Sequence, residues 1–106
     1  MVNLTKRTLG LMVSTAPNHP NLETAIGLSS AALDRGAGVY LYLIDDAVAA
    51  VEDSRVQGLS ERGLKLFVCA YGCQKRRQPL SEKATNCGLV VLTDLINGTE
   101  RFLALN

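Results

Sequence analysis

Cys69 closes a short apolar run, Leu66-Phe67-Val68, and within eight residues it is followed by a second thiol, Cys73, and three cations, Lys75, Arg76 and Arg77. Such a grouping can do thiolate chemistry. A free cysteine of ordinary pKa ~8.5 becomes an effective nucleophile at neutral pH where positive charge or a helix N-terminus favours the anion. Gly72 permits a sharp turn, and Cys73 to Gln78 holds no β-branched residue. A helix starting just after Cys69 would then aim its first amides at the sulfur. Buried free cysteines are also common inert core residues, and Lys-Arg-Arg runs commonly form solvated faces. The residues alone leave both readings open.

Other groups of the chain are weaker candidates. Cys69 and Cys73 are four apart, one residue more than the Cys-x-x-Cys of a thioredoxin-like dithiol, so a redox disulfide between them is a secondary reading. Three cysteines and one histidine without paired spacing do not make a structural zinc site, and no metal is expected. Cys87 reads as a core residue, with a place at the same sheet edge as Cys69 as the alternative. His19, the only imidazole, could act as a base toward the thiol, although a loop position at the start of a helix explains it with less. Asp45 and Asp46 could chelate a hard cation, or simply cap the helix that follows them.

These groups need a scaffold, and the pattern of the chain supplies one. Arg7 to Ser14 reads as a buried strand, and Thr15 to Pro20 as a loop with two prolines. A helix starts near Asn21 with a stripe of Leu22, Ala25, Ile26, Ser29, Ala32 and Leu33, and stops at Asp34-Arg35-Gly36. Val39 to Ile44 is the clearest strand, followed by a helix from Ala47 to about Asp53. Ser54 to Gly63 reads as loop, short helical turn, or both. Leu64 to Ala70 is the third strand, with a helix from about Cys73 to Gln78 and a short one at Ser81-Glu82-Lys83. Gly88 to Leu92 is expected as a fourth strand, Asp94 to Asn97 as a helical turn, and Phe102 to Leu105 as a final strand. Strands alternating with helices predict an α/β sandwich of three layers, its sheet of about five mostly parallel strands covered on both faces. Loops leaving the carboxyl ends of such strands gather at one edge, where ligand chemistry normally occurs, and Cys69, the Thr15 to Pro20 loop and Asp45-Asp46 would meet there.

Composition narrows the function classes. At 106 residues the chain is expected to be a single domain over 1–106, and 47% hydrophobic residues support a packed core. Eleven basic residues against ten acidic ones give no basic field for nucleic acid, and two Phe, three Tyr and no Trp leave few stacking platforms. The slot after the first strand carries Thr15-Ala16-Pro17-Asn18 in place of a glycine-rich dinucleotide turn, and there is no Gly-Lys-Ser/Thr phosphate loop. No nucleotide or other cofactor is expected. No apolar run approaches the ~20 residues that span a bilayer, and the Leu9 to Val13 stretch is too short for a signal-peptide core. Three cysteines, an odd count without framework spacing, argue for reduced thiols in a cytoplasm.

Three stretches resemble the small sulfur-relay proteins of the DsrE/TusD type. One is Asn18-His19-Pro20-Asn21 leading into an alanine-rich helix that ends Ala31-Ala32-Leu33-Asp34-Arg35-Gly36. Another runs from Gly38 through Val39-Tyr40-Leu41-Tyr42-Leu43-Ile44 to Asp45-Asp46-Ala47-Val48. The last is Leu66-Phe67-Val68-Cys69-Ala70-Tyr71-Gly72-Cys73 followed by Gln74-Lys75-Arg76-Arg77. The resemblance implies a flavodoxin-like fold and assembly as a dimer or trimer of this chain or as a hetero-oligomer with related subunits. It also implies a cysteine, here Cys69, that carries persulfide sulfur between a protein donor and a protein acceptor. Backbone amides after Cys69, together with Lys75 or Arg76, would stabilise its anions. Cys73 departs from the family, whose members often have a small or apolar residue there, and it opens the option of a resolving thiol. A non-catalytic subunit that keeps the fold for protein contact is the alternative.

Overall fold

The computed structural model describes residues 7–106; Met1 to Lys6, part of the expected domain, lie outside the described residues. Five strands, β1 (Thr8–Val13), β2 (Gly38–Leu43), β3 (Lys65–Cys69), β4 (Thr85–Cys87) and β5 (Arg101–Leu105), form one sheet in the order β4-β3-β2-β1-β5. All four pairings are parallel. Four α-helices cover it, α1 (Pro20–Asp34), α2 (Ser54–Glu61), α3 (Ala70–Lys75) and α4 (Leu89–Gly98), with a 3₁₀ helix over Asp45–Glu52. The result is the expected flavodoxin-like sandwich of three layers.

The strand order dictates how the layers fill. The chain steps from β1 to β4 in one direction, so right-handed crossovers put α1, the 3₁₀ helix, α2 and α3 on one face. The step from β4 to β5 runs back across the whole sheet, which leaves α4 alone on the other. On the crowded face Leu11, Val13, Val39, Leu41, Leu43, Leu66 and Val68 are buried beneath Leu22, Ala25, Val48, Val51, Val56 and Leu59. On the α4 face lie Gly10, Met12, Tyr40, Tyr42, Phe67 and Cys69, since strand side chains alternate and the register pairs Gly10 with Tyr40 and Tyr42 with Phe67. Tyr40 and Phe67 stack there with ring centroids 6.5 Å apart and remain half-buried. Gly10 makes room for β5, because a Cβ on it would lie 2.7 Å from the Phe102 ring.

Most expected elements are present, and the differences have local causes. The α1 stripe packs as read, with Leu22, Ala25 and Ser29 buried. Ser54 to Glu61 resolves as a helix, because Asp53 caps it by accepting from the Arg55 N–H at 2.8 Å. Asp45 and Asp46 do not cap with their side chains. The cap position is Ile44, and both aspartates fall in the first turn of a 3₁₀ helix where an α-helix was expected. Ser81 makes a turn and no helix, its Oγ accepting from the Lys83 N–H at 3.1 Å. The expected strand Gly88 to Leu92 is the start of α4, and the fourth strand is Thr85–Cys87 just before it. A short apolar run suits either state. Here Val91, Leu92 and Leu95 turn inward at helical spacing, while Leu89 and Val90 face outward. Among the described residues no helix is long and apolar enough to cross a membrane.

Among the described residues two buried hydroxyls, those of Thr15 and Ser29, are left without a partner. Ser29 is fully buried on α1 and its Oγ makes no hydrogen bond. Burying an unsatisfied hydroxyl costs ~1–3 kcal/mol, so Ser29→Ala should raise stability by about 1 kcal/mol. The expected readout is a higher urea midpoint with an unchanged transition slope.

Candidate functional site

Cys69 ends β3 and is itself the N-cap of α3, so of the two helix starts the sequence offered, just after Cys69 and about Cys73, the structure has the first. Its backbone is extended, and its Sγ accepts a hydrogen bond from the Gly72 N–H at 3.3 Å. The residue is only 4% exposed. Gly72 earns its place by packing: a Cβ there would meet Val48 Cγ1 at 3.1 Å and the Asp45 backbone nitrogen at 3.6 Å. A side chain at 72 would push α3 away from the 3₁₀ helix and move the amide that holds the sulfur.

Asp45 therefore reaches the site through its main chain. It adopts a left-handed backbone (φ 53°) that folds the β2 end over Gly72, while its carboxylate faces solvent. Asp46 instead binds Arg76, Oδ1 accepting from Nε at 2.9 Å, and fastens the end of α3 to the 3₁₀ helix. Such an exposed pair contributes under ~1 kcal/mol. Arg76 is thus committed to a carboxylate, and the direct donor to the Cys69 sulfur is a backbone amide. Lys75 lies exposed on the last turn of α3.

His19 caps α1, its Nδ1 accepting from the Asn21 N–H at 3.0 Å. The loop that carries it leaves β1, two strands from β3 and so ~10 Å across the sheet. Cys73 is completely buried one turn into α3. Burial, and secondly the proximity of Cys69, push its thiol pKa up.

Two residues join the site: Tyr42, which the sequence reading did not place there, and Cys87, for which the sheet edge was the second alternative. Cys87, read as core, is half-buried at the end of β4, directly in register with Cys69. Tyr42, from β2, projects its hydroxyl to the same spot and donates to the Gly88 carbonyl at 2.9 Å. Burial pushes the Tyr42 pKa far up, and the neighbouring Cys87 and Cys69 thiols add to the rise. Burial also raises the Cys87 thiol, partly offset by the neighbouring Tyr42 hydroxyl and by its contact to the Val68 carbonyl. The period of two that puts Tyr42 on the α4 face was readable in β2. The register of β4 was not, because that strand was sought three residues too late. Beside the site, Ala70, Tyr71, Gln74, Gln78 and Leu80 line an open groove of about 490 Å³. Among the described residues no three His, Cys, Asp or Glu side chains gather as a metal-ligand set.

The fold has counterparts among solved structures. The crystal structure of the ychN protein from E. coli superposes with a TM-score of 0.75 at 17% identity, covering 93% of this chain and 98% of the other. The structure of a conserved protein of unknown function from Bacteroides thetaiotaomicron, BT1422, gives 0.72 at 17% identity, over 92% and 94%. Likeness at this identity is likeness of fold, and it extends over nearly the whole of each partner. No protein-family model and no curated protein sequence matches the chain.

The raised thiol and phenol groups couple stability to pH. Cys73, Cys87 and Tyr42 hold their protons more tightly folded than unfolded. The unfolded chain therefore loses them first as pH rises, and stability falls with it. The contribution should be intact below the ordinary thiol value of 9.0 and decline above it. Urea midpoints measured upward through that pH should drop, and Cys73→Ala should make the drop shallower.

Proposed function

We propose that Cys69 carries sulfane sulfur as a persulfide between a protein donor and a protein acceptor. The observation that carries this reading is the Gly72 N–H on the Cys69 sulfur, at the carboxyl end of a strand where this fold class does its chemistry. In loading, the Cys69 thiolate attacks the outer sulfur of a donor persulfide. A new S–S bond forms, the donor's S–S bond breaks, and the donor leaves as a thiolate. Unloading reverses the roles, with the acceptor thiolate attacking the outer sulfur on Cys69 and Cys69 leaving. Neither step changes the total oxidation state, so no cofactor is required. The hydrogen bond from Gly72 suits a sulfur that is anionic both before loading and after release.

The fold resemblance to ychN and BT1422 is compatible with the sulfur-relay reading of the sequence motifs. A carrier with a residue only 4% exposed needs a partner that docks closely, and the groove beside α3, with Tyr71 and Leu80 exposed, is where a partner's loop would seat. Reduced thiols fit a cytoplasmic setting.

Assembly belongs to the same proposal. Leu89, Val90 and Ile96 on α4 are 57, 75 and 49% exposed, apolar residues that association with another copy or a related subunit would cover. If this face instead serves a purely structural subunit, replacing Cys69 will leave partner binding and phenotype unchanged.

Incubation with a sulfane donor followed by intact mass measurement should show one added sulfur atom, absent in Cys69→Ser. Sulfur that still loads on that variant would remove Cys69 from the role. Light scattering should find an oligomer, and Val90→Glu should shift it toward the monomer; a wild-type monomer would sink the assembly claim.

A further inference from the structure

Cys87 has no part in the carrier cycle, yet it stands closer in the fold's plan to Cys69 than its distance in sequence suggests. Cys69 and Cys87 are paired residues on adjacent parallel strands, so their side chains leave the sheet on the same face. Parallel neighbours lie ~4.8 Å apart, inside the ~4.4–6.8 Å Cα separation that a disulfide spans. Cys87 Sγ now makes only a long contact to the Val68 carbonyl, 3.9 Å. It ends a three-residue edge strand with a glycine, Gly88, next in the chain. Edge position and a short strand leave its backbone free to adjust. Cys73, by contrast, is completely enclosed one turn into α3.

We propose that Cys87 is the second thiol of the site, which resolves a persulfide on Cys69 by forming a Cys69–Cys87 disulfide and releasing hydrosulfide. The proposal rests on the carrier reading of Cys69. Cys87 sulfur attacks Cys69 Sγ, the inner sulfur of the persulfide. The Cys69–Cys87 S–S bond forms, the bond to the outer sulfur breaks, and that sulfur departs with the electron pair. The proton given up by Cys87 goes to the departing sulfur, so Cys69–S–S⁻ and Cys87–SH become the disulfide and HS⁻. Two thiol sulfurs are oxidised and the sulfane sulfur is reduced, with no outside oxidant. A thiol reductant then returns the disulfide to two thiols. Sulfur that finds no acceptor is in this way discharged as sulfide, and the site closes until it is reduced.

Tryptic mapping reads the pairing directly. Leu66 to Lys75 contains both Cys69 and Cys73, whereas Cys87 lies in Ala84 to Arg101. A disulfide to Cys87 joins two peptides, and one to Cys73 stays within one. Oxidation of the whole chain with diamide should join the two peptides in wild type and in Cys73→Ala, and in neither Cys87→Ser nor Cys87→Ala. A bridge inside the first peptide, or none, overturns the proposal. Loading with inorganic polysulfide, followed by removal of the excess, gives the second reading. Wild type and Cys73→Ala should release one sulfide per sulfur loaded as the disulfide forms. In Cys87→Ser the added sulfur on Cys69 should persist roughly tenfold longer. Equal lifetimes with and without Cys87 overturn the role of Cys87 and leave Cys69 as a carrier. Failure of wild type and of every variant that retains Cys69 to take up sulfur overturns both.

Discussion

Parallel pairing throughout the sheet is the constraint on which everything else depends. A parallel pair cannot be closed by a tight turn, so each strand must be followed by a crossover that returns the chain to the starting edge. All five strands consequently finish at the same edge, at Val13, Leu43, Cys69, Cys87 and Leu105. Two thiols that are far apart in the chain arrive side by side for no reason beyond this. The phenol of Tyr42 reaches them because β2 is the neighbour of β3 and its side chains alternate. The site is a product of strand direction, with only Gly72 and the left-handed turn at Asp45 adjusting its details.

The strand order makes the two faces unequal. Three successive crossovers crowd one face with helices, and its side chains are almost wholly buried. The other receives a single ten-residue helix. Tyr42 is enclosed beneath the start of that helix, but Tyr40, Phe67 and Met12 are left half-covered, and α4 itself shows leucine, valine and isoleucine to solvent. Cys69 and Cys87 share the lightly covered face, whereas Cys73 is enclosed in α3, a helix of the crowded one. The exposed apolar side chains of α4 thus lie on one side of the sheet, and most of the buried core on the other.

Much of this was legible from residue types. The Val39 to Ile44 run was found within a residue of β2, since β-branched and aromatic residues alternate there with leucine and the flanks are glycine and aspartate. The α1 stripe was legible because three buried residues recur at helical spacing. Cys69 at a strand end followed from the apolar run before it. What failed was the segment from Ser81 to Leu92. A three-residue strand carries too little pattern to be seen, and the Leu-Val-Val-Leu that follows it suits a strand as well as a helix. That one slip hid the pairing of Cys87 with Cys69 and left its place at the sheet edge as a second alternative, because the register is fixed by tertiary pairing. Capping chemistry was likewise half legible. His19 stands at the start of a helix as expected, but Asp53, expected near the end of one helix, caps the next, and Asp45 and Asp46 lie inside the turn they were expected to cap.

Gly10 has a consequence for how the molecule is put together in time. β1 is the strand from which the sheet grows on both sides, and its partner β5 is drawn from the other end of the chain, with Thr8 and Glu100 joined across 92 residues. Closing so long a loop is entropically slow compared with pairing β1 to β2. The Phe102 ring drops over Gly10, the one place on β1 without a Cβ to obstruct it. The glycine therefore acts as a keyhole for the last strand to dock: a slip of one residue would turn the ring to the opposite face and bring no other aromatic over the gap. Register at the end of folding is thus checked by the absence of a single methyl group.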